Sequence, residues 1–389
     1  MSSTGDKSRS ELLLSWLRDQ IRAHGPITVA QFMEQALYHP HLGYYTSGPN
    51  IGPRGDFVTS PEASPAFGKL LASHVADVDA LLGKPPAFDI VEGGPGMGTL
   101  ARDLLDELHQ SKPDLYSRVR YRLVELSPAL TQAQRALLQE HGSVVEWHSD
   151  LARLQGALQG AVIANELVDA FPVHVLENHA GTVWEQHVTL DEAEELAIVL
   201  LPISDPSLNA FLDKEGIVLA PGEQVEVNLL AEKWLSDLSS ALARGVVTLI
   251  DYGDESPARY SAARREGTLL GYYAGGVTGS ILSHPGEQDL TALVDFTALQ
   301  HSASHAGFDV IGLTRQSNFL IGLGLGTTHT PETVYPDDIE AAIRYRRGIQ
   351  TLISMEGLGR FHVLLLSKGI EPEQALPCLS GLKYAAYLV

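Results

Sequence analysis

The segment of residues 88–100 constrains the fold of this chain more than any other. It opens with the mostly apolar run Phe-Asp-Ile-Val, which predicts a buried strand, and it continues as a turn and the first residues of a helix. The turn has glycine at every second position, where a side chain would hinder a sharp bend or a close ligand: Gly94, Gly96 and Gly98. A strand that joins a helix through glycines is typical of nucleotide-binding α/β proteins, because free N–H groups and the helix dipole lie beside the ligand.

The residues around these glycines narrow the class of nucleotide. No Gly-Lys-Ser/Thr follows, as a P-loop would require, and the G-x-G-x-G spacing differs from the G-x-G-x-x-G of dinucleotide loops. Glu92 ends the strand, and its carboxylate would repel a pyrophosphate but could pair with an ammonium group. These features favour S-adenosylmethionine (SAM), which has an amino-acid end and an adenosine end. A glycine turn without a ligand and an NAD-dependent oxidoreductase are the alternatives.

Composition and charge limit the partners. The 389 residues carry a formal net charge of −21, which argues against nucleic acid as a partner because phosphates require a basic face. The same charge suits a protein substrate that bears arginine or lysine, although net acidity also serves solubility. The single cysteine, Cys378, excludes an internal disulfide and a cysteine-based zinc site. No apolar run is long enough for membrane insertion, and nothing indicates the oligomeric state.

Acidic and amide side chains recur where predicted strands end. Glu125 closes the second strand, Asp150 follows the third, and Asn165 and Glu166 follow the fourth. Because ligands of a doubly wound sheet bind at the carboxyl ends of its strands, these side chains should surround the glycine turn. We expect Glu125 to accept hydrogen bonds from the ribose hydroxyls, with the adjacent Leu126 in the same cofactor site. Asp150 could accept a hydrogen bond from the adenine amino group, or it could cap a helix.

The segment before the glycine turn predicts a helical cap followed by a lid. Two capping boxes precede short amphipathic helices, and a loop rich in Gly, Pro and Tyr follows them. Ser60 and Pro61 indicate the start of a helix that runs to about Gly83. His39 and His41 could ligate a metal, but no third ligand is spaced nearby, so we predict no metal site. The lid or substrate-facing candidates, each of which could instead cap a helix or pack in the core, are Tyr44, Tyr45, Asp56, Thr59, Ser60 and Glu62.

Strands that alternate with helices predict an α/β fold with a mainly parallel, doubly wound sheet. We divide the chain into five consecutive parts: an N-terminal helical cap and lid loop (1–60), a Rossmann-like core (61–172), a β-rich insertion (173–228), a second part of the core (229–369) with a long loop insertion at 254–292, and a C-terminal tail (370–389).

Five blocks, in this order, resemble the MidA-like family of SAM-dependent methyltransferases: residues 55–62, 91–100, 165–172, 251–253 and 289–296. The resemblance extends from about Thr28 to Leu366. Mitochondrial members of that family are protein arginine methyltransferases that help to assemble respiratory complex I. The resemblance implies a class I methyltransferase fold with a seven-stranded sheet, SAM as the cofactor and a protein arginine substrate. A respiratory complex subunit is one candidate for that substrate.

The family motifs can be transferred to single positions. The E-x-G-P-G-x-G loop implies cofactor contacts from Glu92, Gly94, Pro95, Gly96 and Gly98. The N-E-x-x-D-x-x-P block falls on Asn165, Glu166, Asp169 and Pro172. This chain departs from the family pattern at Gly93, where an aliphatic residue is usual, and at Met97, where Arg or Thr is expected.

The implied reaction assigns roles to the block after the fourth strand. A pair of carboxylates suits the planar fork of a guanidinium, so we predict that Glu166 and Asp169, with Asn165, form the catalytic site. Asp169 could equally cap a helix. Asp56 and Glu62 of the lid are second choices for the same role.

Two further expectations concern the role and location of the protein. The departures in the glycine turn and the long loop at 254–292 motivate an alternative function, in which an assembly or scaffold protein keeps a SAM-binding fold but acts by binding a partner. No targeting segment is apparent at the start of the sequence, so we expect a cytoplasmic location.

Overall fold

The computed structural model describes residues 8–47, 58–154, 158–256 and 264–385. Its helices are α1 (Arg9–His24), α2 (Val29–Tyr38), α3 (Ser60–Ala63), α4 (Ala66–Leu81), α5 (Thr99–Ser111), α6 (Pro113–Tyr116), α7 (Pro128–Leu137), α8 (Pro206–Glu215), α9 (Leu229–Ala241), α10 (Phe296–His305), α11 (Gln316–Gly322), α12 (Pro331–Val334), α13 (Ile339–Ile353) and α14 (Pro372–Ala375). Its strands are β1 (Ile27–Thr28), β2 (Phe88–Gly93), β3 (Val119–Val124), β4 (Val145–His148), β5 (Leu158–Asn165), β6 (His174–His179), β7 (Thr182–Leu190), β8 (Leu196–Leu201), β9 (Gln224–Val227), β10 (Leu242–Asp251), β11 (Gly253–Asp254), β12 (Leu270–Tyr273), β13 (Gly276–Val277), β14 (Asp289–Thr291), β15 (Val294–Asp295), β16 (Asp309–Arg315) and β17 (His362–Lys368).

Seven strands form the central sheet, in the order β4-β3-β2-β5-β10-β17-β16. The first five are mutually parallel, and β17 runs antiparallel to both β10 and β16. This order confirms the predicted Rossmann-like, mainly parallel, seven-stranded sheet. Because the parallel strands align their carboxyl ends, the segments that follow β2, β3, β4, β5 and β10 meet at one edge.

Both faces of the sheet are buried, as parallel strands require. Successive side chains of a strand point to opposite faces, so Ile90 of β2 joins the cluster around α4 and α5, whereas Val91 joins the cluster around α9 and α10. A fully buried aliphatic side chain stabilises the fold by about 1.5–3 kcal/mol. The two clusters therefore give the loops at the carboxyl edge a rigid support.

A second sheet, β1-β7-β6-β9 with β8 paired to β7, comes mainly from the segment 173–228. The turn between β6 and β7 is a tight hairpin, since Ala180 and Gly181 have φ of 53° and 90°. Helices α1 and α2 pack in one cluster with this sheet. Helix α8 also lies in this β-rich segment, and the sequence signals for it are Asp205, which caps it, and Pro206 at its first position.

Two other expectations about local structure are corrected. The helix predicted from Ser60 to about Gly83 is two helices, because Pro65 lacks the N–H of a helical ladder and restricts Ser64 before it. Thr59 is the N-cap of α3, and its side chain makes no capping hydrogen bond. The segment 254–292 contains β12, β13 and β14 besides loops.

No helix in the described part of the chain is long and apolar enough to cross a membrane.

Candidate active site

A cavity of about 630 Å³ opens at the carboxyl ends of the parallel strands. Its walls come from the segments after these strands and from α2, α3, α9 and β14. Nine acidic side chains line it, and Arg360 is the only cation of the lining within the described residues. This charge distribution favours a cationic ligand.

The glycine loop, residues 93–98, turns sharply between β2 and α5. Gly94, Gly96 and Gly98 have φ of 64°, 53° and 84°, in the left-handed region that other residues rarely adopt. Gly98 is the N-cap of α5, and its N–H donates to the Pro95 carbonyl at 2.8 Å. Gly94, Pro95 and Gly96 line the cavity. Gly98 is not part of the cavity wall, but its left-handed conformation allows the turn. The loop thus presents backbone and the start of α5 to a ligand.

The two departures from the family pattern have different surroundings. A Cβ atom at Gly93 would lie 3.1 Å from Leu167 Cδ2 and 3.6 Å from Trp234 Cζ2. Leu167 and Trp234 therefore fill the space that an aliphatic side chain would take at this position. Met97 lies at the cavity and is 36% exposed. Because the space at Gly93 is filled, that departure does not loosen the loop and no longer argues for the scaffold alternative.

Glu92 is buried below the glycine loop and lines the cavity. Its Oε2 accepts a hydrogen bond from the Tyr121 hydroxyl at 2.6 Å. Burial raises the pKa of Glu92 to about 8; the Tyr121 hydrogen bond opposes this rise, and the charge of Glu125 adds to it. An ammonium group of a ligand could therefore replace the proton that this carboxyl holds in the free protein.

Glu125 follows β3 and faces the cavity. Its Oε1 accepts from the Ser127 N–H at 2.7 Å, and its Oε2 accepts from Gln134 Nε2 at 3.1 Å. These bonds fix the carboxylate, and each oxygen keeps a lone pair that could accept from a ribose hydroxyl. Burial raises the pKa of Glu125, against these hydrogen bonds. Leu126 lines the cavity and is 62% exposed, so an adenosine bound there would cover apolar surface.

Asp150 follows β4 and also lines the cavity. Its Oδ1 accepts from the Arg153 N–H at 2.9 Å and caps the short helical turn Leu151–Arg153. The capping alternative is therefore correct. A contact between Asp150 and an adenine amino group stays a prediction.

Asn165 ends β5, and Glu166 follows it with φ of 52°, a left-handed backbone that costs a non-glycine residue on the order of 1–3 kcal/mol. Glu166 Oε1 accepts from Asn165 Nδ2 at 3.0 Å and from the Ser60 N–H at 3.1 Å. Asn165 Oδ1 is buried and has no hydrogen-bond partner within the described residues. Since buried acceptors are normally paired, this atom indicates a donor from a ligand.

Four carboxyl groups gather beside Asn165, and we call them the carboxyl cluster: Glu166, Asp169, Asp251 and Asp289. Asp169 does not cap a helix; its Oδ2 accepts from Thr291 Oγ1 of β14 at 3.1 Å. Asp251 Oδ2 accepts from the backbone N–H groups of Val168 at 2.9 Å and Asp169 at 3.3 Å.

Burial raises the pKa of three members of the carboxyl cluster, Glu166, Asp169 and Asp251. Burial, with a contribution from the charge of Asp169, raises the pKa of Glu166 to about 8. Burial raises the pKa of Asp169 to about 6, against its hydrogen bond from Thr291. Burial and the charge of Asp169 also raise the pKa of Asp251 well above its ordinary value. A cation that entered this cluster would stabilise its ionised form.

Three residues at or just behind this end of the cavity were not assigned to the site from the sequence: Tyr38, Asp251 and Asp289. The Tyr45 hydroxyl donates to Asp289 Oδ1 at 2.7 Å, and the Tyr45 ring stacks on Tyr38 with 5.6 Å between centroids. Tyr38 also donates its hydroxyl to the Ala170 carbonyl at 2.9 Å. Asp251 and Asp289 lie in two of the family blocks, which was the available signal for them. No sequence pattern pointed to Tyr38.

The candidates of the predicted lid separate into several groups. Tyr44 is a core residue: it is 2% exposed, packs with the cluster of α1 and α2, and is not part of the cavity wall. Thr59, Glu62 and Tyr45 line the cavity, and Glu62 Oε1 accepts from Thr99 Oγ1 at 2.5 Å. Ser60 is fully buried behind the wall. Asp56 lies outside the described residues.

The residues present fit SAM. The glycine loop leaves room for a ligand beside its backbone, Glu125 keeps free lone pairs, and the side-chain oxygen of Asn165 has no donor among the described residues. These groups lie at the carboxyl edge of a seven-stranded sheet with one reversed strand. Fold and site together define a class I SAM-dependent methyltransferase.

Comparisons with known proteins assign the family. Residues 70–314 match the model of the family described as "Putative S-adenosyl-L-methionine-dependent methyltransferase", and the chain belongs to this family. It is 30% identical over 380 residues to the mouse mitochondrial protein arginine methyltransferase NDUFAF7, a match that covers 91% of this chain and 84% of that protein. It is 32% identical over 330 residues to the Drosophila melanogaster homologue, with coverage of 76% and 70%.

A solved structure gives the same assignment. A COG1565 superfamily protein from Burkholderia thailandensis, crystallised with S-adenosyl-homocysteine, superimposes with a TM-score of 0.86 at 31% identity, over 97% of this chain and 96% of that chain. The comparisons confirm the predicted family, fold, methyltransferase class and SAM cofactor, and they remove the NAD-dependent alternative.

One prediction is wrong. The expected cytoplasmic location conflicts with the relatives, which are named as mitochondrial proteins. The physical reason for the error is that the expectation rested on a missing sequence signal, which carries no structural information.

In the described part of the chain, no group of three His, Cys, Asp or Glu side chains could hold a metal ion.

Proposed function

We propose that this protein transfers the methyl group of SAM to arginine side chains of a protein substrate. The carboxyl cluster is the observation that carries the proposal. Glu166, Asp169 and Asp289 line the cavity together with the aromatic rings of Tyr38 and Tyr45. A guanidinium requires carboxylates for its planar fork and favours aromatic faces for stacking. The relatives that are named as protein arginine methyltransferases support the same acceptor.

One end of the cavity would bind SAM, and the other end would bind the methyl acceptor. When bound, SAM supplies an electrophilic methyl group on its sulfonium. Residues of the glycine loop, Glu125 and Asn165 would hold it at one end. The carboxyl cluster and the two tyrosines would hold the acceptor at the other end, so that the nucleophilic nitrogen faces the methyl group and water is excluded.

The pKa values decide which carboxyl acts first. Burial raises the pKa of Asp169 to about 6 and that of Glu166 to about 8, so Asp169 is the more readily ionised of the two. Asp169 therefore anchors the guanidinium, and Glu166 ionises as the cation approaches, because an opposite charge lowers the pKa of a carboxyl. The anchored nitrogen loses one proton when it gains the methyl group, and a carboxylate of the pair accepts that proton.

The test is a methyl-transfer assay on whole protein extracts. Extracts from cells that lack the gene are incubated with the purified protein and SAM that carries an isotopic label in its methyl group. We expect labelled methylarginine on one or a few proteins, identified by mass spectrometry. A respiratory complex subunit is the first candidate to examine, because the family resemblance implies it.

The control for this assay is a variant in which SAM binding is impaired. The Gly94→Val variant should give little or no label at a SAM concentration near the wild-type Kd, since a side chain at this position hinders cofactor binding. Label on lysine, on a carboxyl group or on a small molecule would contradict the arginine acceptor. Absence of heat on titration of the wild-type protein with SAM would contradict methyl transfer itself.

A further inference from the structure

A buried hydrogen-bond chain links Glu166 to a distant part of the sequence. The Ser60 N–H donates to Glu166 Oε1 at 3.1 Å, and the Ser60 hydroxyl donates to Gln316 Oε1 at 3.0 Å. Gln316 Nε2 donates to the Leu352 carbonyl at 3.0 Å, and the Gln316 N–H donates to the Phe361 carbonyl at 2.8 Å. Ser60 and Gln316 are both 0% exposed. The side-chain amide of Gln316 is therefore used at both its oxygen and its nitrogen.

The elements joined by this chain surround one wall of the cavity. Ser60 begins α3, whose Pro61 and Glu62 line the cavity, and Phe361, the residue before β17, lines it as well. Leu352 lies in the last turn of α13, where carbonyl groups lack partners within the helix. Gln316 satisfies one of those carbonyls and so connects α3, α13 and β17.

Close packing supports the same connection. A Cβ atom at Gly348 of α13 would lie 2.5 Å from the Ala63 carbonyl oxygen and 2.7 Å from Ser64 Cβ. Only glycine allows α13 to approach the end of α3 this closely. The position of α3 is therefore set by the region 316–361, which is distant from it in the sequence.

Glu166 needs such a support. Its left-handed backbone is strained, and strained residues persist only when their surroundings hold them. Its backbone is fixed by the Ile250 carbonyl, to which its N–H donates at 2.8 Å. Its carboxylate accepts hydrogen bonds from the neighbouring Asn165 and from the Ser60 N–H. Ser60 is in turn fixed by the hydrogen bond from its hydroxyl to Gln316.

We propose that Gln316 is a positioning residue of the active site: through the Ser60 hydroxyl it holds the start of α3 against the Glu166 carboxylate. Both Ser60 and Gln316 lie outside residues 70–314, the range that the family model matches. The structural part of this inference stands independently of the reaction, and only its effect on turnover rests on the proposed function.

The structural part is tested by hydrogen–deuterium exchange on Gln316→Met, Ser60→Ala and the double variant. Methionine keeps the size of Gln316 but removes both side-chain hydrogen bonds. We expect the amides of residues 58–63 to exchange about tenfold faster in each single variant, since a single hydrogen bond is worth about that factor. The double variant should exchange no faster than the single variants, because both substitutions break the same link. Gln300→Met in α10, where Nε2 bonds only the Phe296 carbonyl of the same helix, is the matched control and should not change this segment.

The catalytic part is tested by kinetics on the same proteins. We expect kcat to fall about tenfold while the Kd for SAM stays within about twofold, because the glycine loop is untouched. The Ser60 N–H bond lowers the pKa of Glu166, so a displacement of α3 that lengthens or breaks this bond should move the pH dependence of kcat to higher pH. The other titratable groups that face Glu166 are Asp169, Asp251 and Asp289, and the variants leave them in place.

The outcomes separate this inference from the proposed function. Unchanged exchange at residues 58–63, or additive effects in the double variant, would overturn the role of Gln316. A wild-type protein that methylates no arginine would overturn the proposed function, while the exchange experiment would still decide the role of Gln316. If Gln316→Met does not fold, as judged by thermal melting, Ser60→Ala carries the test, because it removes only the hydroxyl.

Discussion

The glycine loop and the carboxyl cluster lie in one cavity but are built in opposite ways. The loop is a continuous segment of six residues, 93–98, and offers mainly backbone to its ligand. The cluster takes its carboxyl groups from the segment after β5, the end of β10 and the start of β14. One site depends on local backbone conformation, and the other depends on the packing of distant segments.

This difference has a physical consequence for how each site can fail. A substitution in the loop acts directly, through a clash or through strain at a positive φ. A substitution around the cluster acts through desolvation and charge, because its buried carboxyl groups have pKa values that depend on one another.

Asp169→Asn should reduce kcat by about a thousandfold, since it removes the carboxylate that anchors the guanidinium and can accept its proton. The Kd for SAM should change less than about threefold, because the glycine loop and Glu125 are intact. Steady-state kinetics and calorimetry check the two values. Asp237→Asn is the matched control: it removes a carboxyl from the same cavity that already pairs with Lys233, and it should have little effect. A large loss in both variants would show that total charge, and not the cluster, matters.

Gly94→Val should weaken SAM binding by about a hundredfold, because its φ is 64° and a Cβ there would lie 2.9 Å from Leu167 Cδ1. Calorimetry measures the affinity. Gly181→Val is the control, since Gly181 has φ of 90° in the hairpin between β6 and β7 and a Cβ there meets nothing within 4 Å. Equal loss of affinity in both variants would mean that general destabilisation, not the loop, is responsible.

Glu125→Ala should weaken SAM binding by about 1–3 kcal/mol, through the loss of hydrogen bonds to the ribose. Fluorescence or calorimetric titration measures this change. Glu140→Ala, an exposed glutamate outside the cavity wall, serves as the comparison. Unchanged affinity in Glu125→Ala would remove this residue from the cofactor site.

Glu92→Gln should flatten the pH dependence of stability. The pKa of Glu92 is about 8 in the folded protein and has its ordinary value of 4.5 when the chain is unfolded. The folded state therefore binds more protons between these values, so this contribution to the free energy of unfolding is complete below about pH 4.5 and is lost as the pH rises through 8. The loss amounts to at most about 1.4 kcal/mol per pH unit for one carboxyl.

Urea unfolding at several pH values between about 5 and 8 measures this dependence. Glutamine keeps the oxygen that accepts from Tyr121 but does not titrate, so the variant should exceed the wild type in stability at the alkaline end. Glu34→Gln, on the exposed face of α2 at the cavity, is the control. A slope in Glu92→Gln equal to that of the wild type would contradict the role of burial at this carboxyl.

The features that could be placed in advance are those whose position follows from local sequence. The glycine spacing of 93–98 specifies a turn, and the apolar run before it specifies a buried strand, so the sheet and the cofactor end could be anticipated. Glu125 and Asn165 followed from their place at strand ends. The helix at 60–83 was wrong because Pro65 interrupts a pattern that otherwise continues.

Spacing and backbone conformation along the chain were enough to establish the α/β class and the glycine loop, and the family blocks implied SAM as the ligand. The packing of the folded chain was needed to establish that Tyr44 lies in the core while Tyr45 faces the cavity. It alone brought Asp289 to Glu166 and Gln316 to Ser60, 256 residues away. The physical reason is that burial and desolvation are set by contacts between distant segments, and these contacts leave no periodic mark in the sequence.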